Sequence, residues 1–134
     1  MIKELTQYIE DNSYSSLVIG TNLFGGHRPP DAPDECVVVL ETGGLPYPYS
    51  GTLRGEASFE ILARDKTYFE CRDLIWSVFE IFRVKGEITL PVVISGDDWL
   101  IESIVAINRP QSLGQDDKGL FEMSVNYIAY CKKI

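Results

Sequence analysis

The sequence predicts a single α+β domain over residues 1–134, with a largely antiparallel β-sheet, a short N-terminal helix and one long amphipathic helix packed on the sheet. Three observations support this prediction. Strand-like segments follow one another along the chain, which favours hairpins and antiparallel pairing. Only the segment from Thr67 to about Lys85 has the length and periodicity of a long helix. The chain has the size of one ordinary domain, and no repeat or linker divides it.

The chain opens with a short helix, because Ile2, Leu5 and Ile9 recur at helical spacing while polar residues occupy the other faces. The stretch "DNSYSS" ends this helix. "LVIGTNLFGG" is a strand-like run that ends in glycines. "HRPPDAPDE" contains three prolines, so it forms neither a helix nor a central strand.

Two strands form the predicted centre of the sheet. "CVVVLE" is rich in β-branched residues and is expected to be buried on both faces. "RGEASFEILAR" alternates, so one of its faces should be buried; that face carries Ala57, Phe59, Ile61 and Ala63.

The main helix is predicted to begin at Thr67, which forms a T-x-x-E capping box with Glu70. Gly86 stands where a helix-ending glycine belongs. The predicted apolar face consists of Tyr68, Cys71, Ile75, Val78, Phe79 and Phe82.

Three strands are predicted after the helix. "EITLPVVIS" contains Pro91 and is therefore expected at an edge or a bulge. "DDWLIESIVAINRP" and "GLFEMSVNYIAYC" are longer, and "QSLGQDDKG" between them is predicted to be a hairpin connection with a polar tip. The last strand should bury Phe121, Met123, Val125, Tyr127 and Ala129.

Composition excludes several classes of protein. The formal net charge of −8 is the opposite of what a phosphate-binding protein needs, so specific DNA binding is not expected. The apolar runs are too short for a membrane span, and the charged N-terminus does not resemble a signal peptide, so synthesis in the cytoplasm is expected. Cys36, Cys71 and Cys131 are widely spaced and odd in number, which predicts reduced and mostly buried thiols.

No catalytic, metal or cofactor site is predicted. The glycines of "GTNLFGGH" have the spacing of half a phosphate loop, but Gly26 stands where the lysine belongs. His27 is the only histidine and is read as an exposed loop residue. The acidic pairs at Asp97 and Asp98 and at Asp116 and Asp117 lie at predicted turns, where aspartate caps backbone amides. The protein is therefore predicted not to be an enzyme.

The segment "TGGLPYPYSG" joins the two central strands and presents Tyr47 and Tyr49 on either side of a proline, close to Gly43 and Gly44. Tyrosine is enriched in protein interfaces. The alternative is a hairpin loop whose tyrosines fold back onto the sheet, and composition leaves both interpretations open.

An ordered set of segments resembles the small minor capsid or tail-terminator proteins of long-tailed bacteriophages. The set comprises "NLFGG", "RPPDAPDE", "CVVVLETGG", a strand ending in "LAR", "TYFECRDLIWSVFEIF" and "INRPQSLGQDDKGLFEMSVNYIAY". The resemblance implies an α+β structural virion protein that forms a ring, typically of six copies, at the head-proximal end of the tail. Such a ring stops tail-tube growth and meets the tail-tube protein on one side and the head connector or stopper protein on the other.

The resemblance also implies contact regions in "ETGG" and "RPQSLGQDDKG". These regions contribute Gly43, Gly44, Arg109, Gln111, Gln115, Asp116 and Asp117, to which the loop composition adds Tyr47 and Tyr49. Six copies at −8 each would carry about −48, so DNA is expected to pass through the lumen without specific binding. The alternatives are an adjacent head–tail connector component, a small-ligand-binding α+β domain and, last, an enzyme using Asp98 or His27.

Overall fold

The computed structural model describes residues 2–13, 17–42, 54–82, 88–90 and 99–133. Within these residues the chain forms two helices and seven strands that make one sheet. The elements are α1 (Ile2–Asn12), β1 (Leu23–Gly25), β2 (Cys36–Glu41), β3 (Arg54–Asp65), α2 (Tyr68–Phe82), β4 (Ile88–Leu90), β5 (Trp99–Ala106), β6 (Gln111–Gln115) and β7 (Phe121–Lys133). The predicted α+β class is confirmed.

The sheet is built around the antiparallel pair β3 and β7, which lie side by side from Asp65 opposite Phe121 to Arg54 opposite Lys132. The strand order is β1-β2-β3-β7-β5-β4, and β6 also pairs with β7. Of the described strand pairs only β1 and β2 are parallel. Because β3 occupies one edge of β7 along its length, β5 and β6 share the other edge and form one long interrupted hairpin with β7.

Both helices lie on one face of this sheet and cover its core. The predicted alternation of β3 and β7 is confirmed, because Phe59, Ile61, Met123 and Val125 are all buried beneath the helices. Tyr127 lies among them, with its ring stacked 5.0 Å from that of Phe59. Aromatic burial at the meeting of β3, β7 and α2 therefore forms the centre of the core.

Helix α2 begins where the capping box predicts, since the Glu70 amide donates to Thr67 Oγ1 at 3.2 Å. Its buried face differs from the prediction in the first turn and at Leu74 and Ile81. Tyr68 is 39% exposed because the first turn lies at the end of the sheet, whereas Leu74 and Ile81 are buried. The predicted helix end near Lys85 lies outside the described residues.

The proline-rich segment 27–35 covers part of the other face of the sheet. Arg64 follows the core-facing Ala63, so its side chain points to that second face, where its guanidinium donates to the carbonyls of Ala32, Pro33 and Asp34. This cover explains why β2 is buried on both faces, as its composition predicts.

Two sequence-based boundaries are wrong. The predicted connection "QSLGQDDKG" contains strand β6, and the chain reverses only at Asp116–Leu120. A bulge at Leu113 and Gly114, with Gly114 at a φ of 90°, lets this polar segment pair with β7. The run "LVIGTNLFGG" contains only a three-residue strand, because Val18–Asn22 forms a tight turn before β1.

Candidate assembly surfaces

The structure brings five of the predicted contact residues together at one end of the sheet. Arg109 precedes β6, Gln111 and Gln115 bound it, and Asp116 and Asp117 form the turn that follows. All are exposed except Asp116, which is half-buried. Their grouping follows from the pairing of β6 with β7. The other predicted contact residues, Gly43, Gly44, Tyr47 and Tyr49, lie outside the described residues.

Strand β6 has one unpaired edge within the described part of the chain, because it pairs only with β7. Every β6 residue is exposed, and Leu113 is the apolar side chain of this otherwise polar strand. Leu113 is 51% exposed and Ile107 is 61% exposed. Ile107, Arg109 and Leu113 together are called the β6 edge below. Exposed strand edges with apolar side chains are sites where other chains dock.

The Asp116 carboxylate stabilises the turn between β6 and β7. Its Oδ1 accepts hydrogen bonds from the amides of Lys118 and Leu120, each at 2.9 Å. The hydrogen bond from the Leu120 amide lowers the pKa of this carboxyl, and the Arg64 guanidinium at 4.0 Å acts in the same direction. Asp117 is exposed, so of the acidic pair it is the one whose side chain is available to a partner.

A second exposed apolar surface lies at the opposite side of the sheet, beside β1. Val18 and Ile19 are 49% and 42% exposed. The turn that carries them is stabilised by the Val18 carbonyl, which accepts from the amides of Thr21, Asn22 and Leu23. The Ile19 amide donates to Glu10 Oε2 at 2.7 Å. The sequence prediction missed this surface because it assigned "LVIG" to a strand-like run.

A hollow of about 360 Å³ adjoins Ile19 and is lined by Lys3, Thr6, Gln7, Ile19 and Gly25. Val18, Ile19 and this hollow are called the β1 edge below. A side chain at Gly25 would place its Cβ 2.8 Å from Thr6 Oγ1. The close approach of α1 to β1 therefore requires glycine at this position.

A third exposed surface and a cleft lie near the start of α2. Phe69 is 72% exposed, and Tyr68 packs edge-on against it and against Phe121. The cleft, about 670 Å³, is lined by Pro33, Asp34, Glu35, Asp65, Lys66, Glu70, Asp73, Leu74 and Ser77. Ligand pockets are lined mainly by apolar and aromatic side chains, whereas this cleft is lined mainly by carboxylates.

The residues considered for catalysis are not grouped in the described structure. His27 is exposed on the proline-rich segment, and Asp97 and Asp98 lie outside the described residues. Cys36 and Cys71 are buried as predicted, and burial raises the pKa of both thiols, that of Cys71 to about 11. Neither of these two thiols is a ready nucleophile at neutral pH.

Metal and membrane sites were considered over the same ranges. The described residues hold no group of three or more His, Cys, Asp or Glu side chains placed to bind a metal ion. Neither described helix combines the length and the apolarity needed to cross a bilayer.

Comparison with known proteins identifies the family. Residues 12–131 match the family model described as "Bacteriophage tail terminator protein". A search of curated proteins found no match. The matched region covers most of the chain, including α2, β1 to β6 and all of β7 except its last two residues. The chain therefore belongs to the bacteriophage tail terminator protein family and is a structural protein of the virion tail.

Proposed function

We propose that this protein forms an oligomeric ring, of six copies, at the head-proximal end of the phage tail, where it ends tail-tube growth and joins the tail to the head connector. Family membership is the observation that supports this role. The proposed partners are further copies of the chain, the tail-tube protein and a head connector or stopper protein. Synthesis would take place in the host cytoplasm, before assembly into the virion.

The exposed surfaces are consistent with assembly. The β6 edge presents Leu113 and Ile107 to solvent beside an unpaired strand, and Val18 and Ile19 are exposed on the other side of the sheet. Monomeric proteins usually cover or charge such edges. Contact with neighbouring protein would remove both surfaces from water.

The charge of the chain suits a part through which DNA passes. Six copies at −8 would carry about −48 around the ring. We propose that DNA moves through the lumen without specific binding, because an acidic wall repels phosphates.

The experiment is reconstitution with tail-tube protein. Light scattering and negative-stain microscopy of the purified chain should show rings, and rings added to growing tubes should stop growth at one end. A chain that stays monomeric at high concentration, with and without tail-tube protein, would contradict the proposal. Preferential binding to the head connector with no effect on tube length would instead favour an adjacent connector component.

The contact residues are tested by substitution. Tyr47→Ala with Tyr49→Ala should impair ring formation and leave the thermal stability of the monomer within about 0.5 kcal/mol, because we propose that these side chains contact a partner and not the core. A large loss of stability would instead show that the two tyrosine side chains pack in the core. Asp117→Lys tests the hairpin tip in the same assay, and Asp73→Lys is a matched control because Asp73 is an exposed acid on α2, away from the hairpin.

A further inference from the structure

We infer that the β6 edge of one copy docks on the β1 edge of the next copy, so that subunits join head to tail through opposite edges of the sheet. The inference rests on the proposed function, because it assigns the contact that would build the ring. The two edges differ in their residues and in their shape. The partner is therefore a second copy of this chain, turned so that unlike edges meet.

The register places the two edges at the same height on opposite sides of the sheet. One continuous row of paired residues runs through Leu23, Val37, Ala63, Met123 and Ser112, one from each of β1, β2, β3, β7 and β6. Four strand spacings of about 4.8 Å separate its ends by about 19 Å. A rotation about an axis parallel to the strands therefore brings β6 of one copy beside β1 of another at the same level.

The kind of assembly depends on whether the two contacting surfaces are the same or different. A contact between one surface and a different surface is heterologous, and repeated heterologous contacts close into a ring or continue as a filament. A contact between two identical surfaces would instead stop at a dimer. Two distinct exposed apolar edges on one chain, Ile107 with Leu113 and Val18 with Ile19, therefore fit a ring-forming subunit.

The contact is made by side chains and not by a continued β-ladder. The Leu23 amide donates to the Val18 carbonyl at 3.2 Å, and the Gly20 amide donates to the Leu23 carbonyl at 3.0 Å. The outward groups of Leu23 are thus already used. The hollow beside Ile19 has a volume of about 360 Å³, that of roughly twelve water molecules, so aliphatic side chains such as Leu113 can replace water there.

The charges at the two edges favour contact of the β6 edge with the β1 edge over contact between two like edges. Arg109 is exposed on the β6 edge and forms no ion pair with the described residues. Glu10 and Asp11 lie at the end of α1, and Glu10 Oε2 accepts from the Ile19 amide, which places this carboxylate at the β1 edge, where Lys3 also lines the hollow. A chain of net charge −8 repels its copies in general, so an opposite-charge pair at one place selects which edges meet.

The test is disulfide trapping between two singly substituted chains, with Cys131→Ser in both so that the remaining native thiols are the buried Cys36 and Cys71. Ile19→Cys and Leu113→Cys chains are mixed with tail-tube protein and oxidised. The expected result is a cross-linked dimer in the mixture and none from either chain alone. Cross-linking of either chain alone would show a like-to-like contact and overturn the inference.

Substitutions that exchange the charges of the two edges test the contact independently, with assembly measured by light scattering. Arg109→Glu should raise the concentration needed for assembly about tenfold, and Asp11→Arg in the same chain should restore much of the loss. Phe69→Ser is the matched control, because Phe69 is exposed but lies on neither edge, and it should change assembly little.

Failure of the inference is distinguishable from failure of the proposed function. If rings form but no mixed cross-link appears, the edge contact is overturned and the proposed ring is not. The same holds if Phe69→Ser impairs assembly as much as Arg109→Glu does. No assembly of the unsubstituted chain under any condition contradicts both.

Discussion

Arg64 holds the proline-rich segment on the sheet, and its replacement is the sharpest test of how this fold is stabilised. The residue is only 9% exposed, and its guanidinium donates to the carbonyls of Pro33 at 2.8 Å, Ala32 at 3.2 Å and Asp34 at 3.3 Å. Arg64→Met keeps most of the apolar stem and removes every donor. The three carbonyls must then find water or remain unpaired.

The expected loss follows from these contacts. A hydrogen bond to a charged group contributes about 1.5–3 kcal/mol, but three bonds that share one cation do not add independently. We expect Arg64→Met to lower the free energy of unfolding by about 3 kcal/mol, mainly through carbonyls left without a donor. For a domain of 134 residues this corresponds to a fall of about 10 °C in Tm.

The assay is urea denaturation followed by circular dichroism, with Arg109→Met as the matched control because Arg109 is exposed. The control should change stability by less than about 0.5 kcal/mol. Limited proteolysis should also cut Arg64→Met faster within residues 27–35. A loss below about 1 kcal/mol without faster cleavage would refute the reasoning, since it would mean that water already satisfies these carbonyls.

Three further predictions concern buried groups. Tyr127→Phe should raise the free energy of unfolding by about 1 kcal/mol in the same urea assay, because the buried Tyr127 hydroxyl has no hydrogen-bond partner among the described residues; a loss would reveal a partner. Gly25→Ala should cost about 1–3 kcal/mol through its clash with Thr6, and Thr6→Ala in the same chain should recover part of that loss; equal stability of Gly25→Ala and the parent would show that α1 moves freely. The raised pKa of Cys71 means that its contribution to stability is complete below pH 9 and is lost as pH rises to about 11, because only the unfolded thiol ionises in this window. Cys71→Ala should flatten this part of the pH profile, and an unchanged profile would contradict the assignment.

Much of the fold could be predicted because its signals are local. The alternation in β3 and β7 identifies the buried residues Phe59, Ile61, Val125 and Tyr127, since side chains of a strand point alternately to its two faces. The capping box at Thr67 likewise marks the start of α2, because it depends on atoms three residues apart. These predictions needed no knowledge of the neighbouring elements.

The candidate surfaces were predicted only in part. The sequence named residues on the β6 side as candidate contacts because of the polar turn residues and the family resemblance. The β1 edge was missed because an apolar run such as "LVIG" is typical of a buried strand, and only the hydrogen bonds of the Val18 turn expose its side chains. The role of Arg64 was also invisible, because its partners lie about thirty residues earlier in the chain.

The sequence by itself therefore determined the type of most main elements, the residues that β3 and β7 bury, and the acidic charge that argues against nucleic-acid binding. Tertiary structure alone decided that β1 runs parallel to β2, that β5 and β6 share one edge of β7, and that two exposed apolar surfaces lie at the same height on opposite sides of the sheet. The physical reason is the separation along the chain over which each interaction acts. Periodicity and capping act within a few residues, whereas strand order and edge exposure depend on contacts between distant segments that no local pattern specifies.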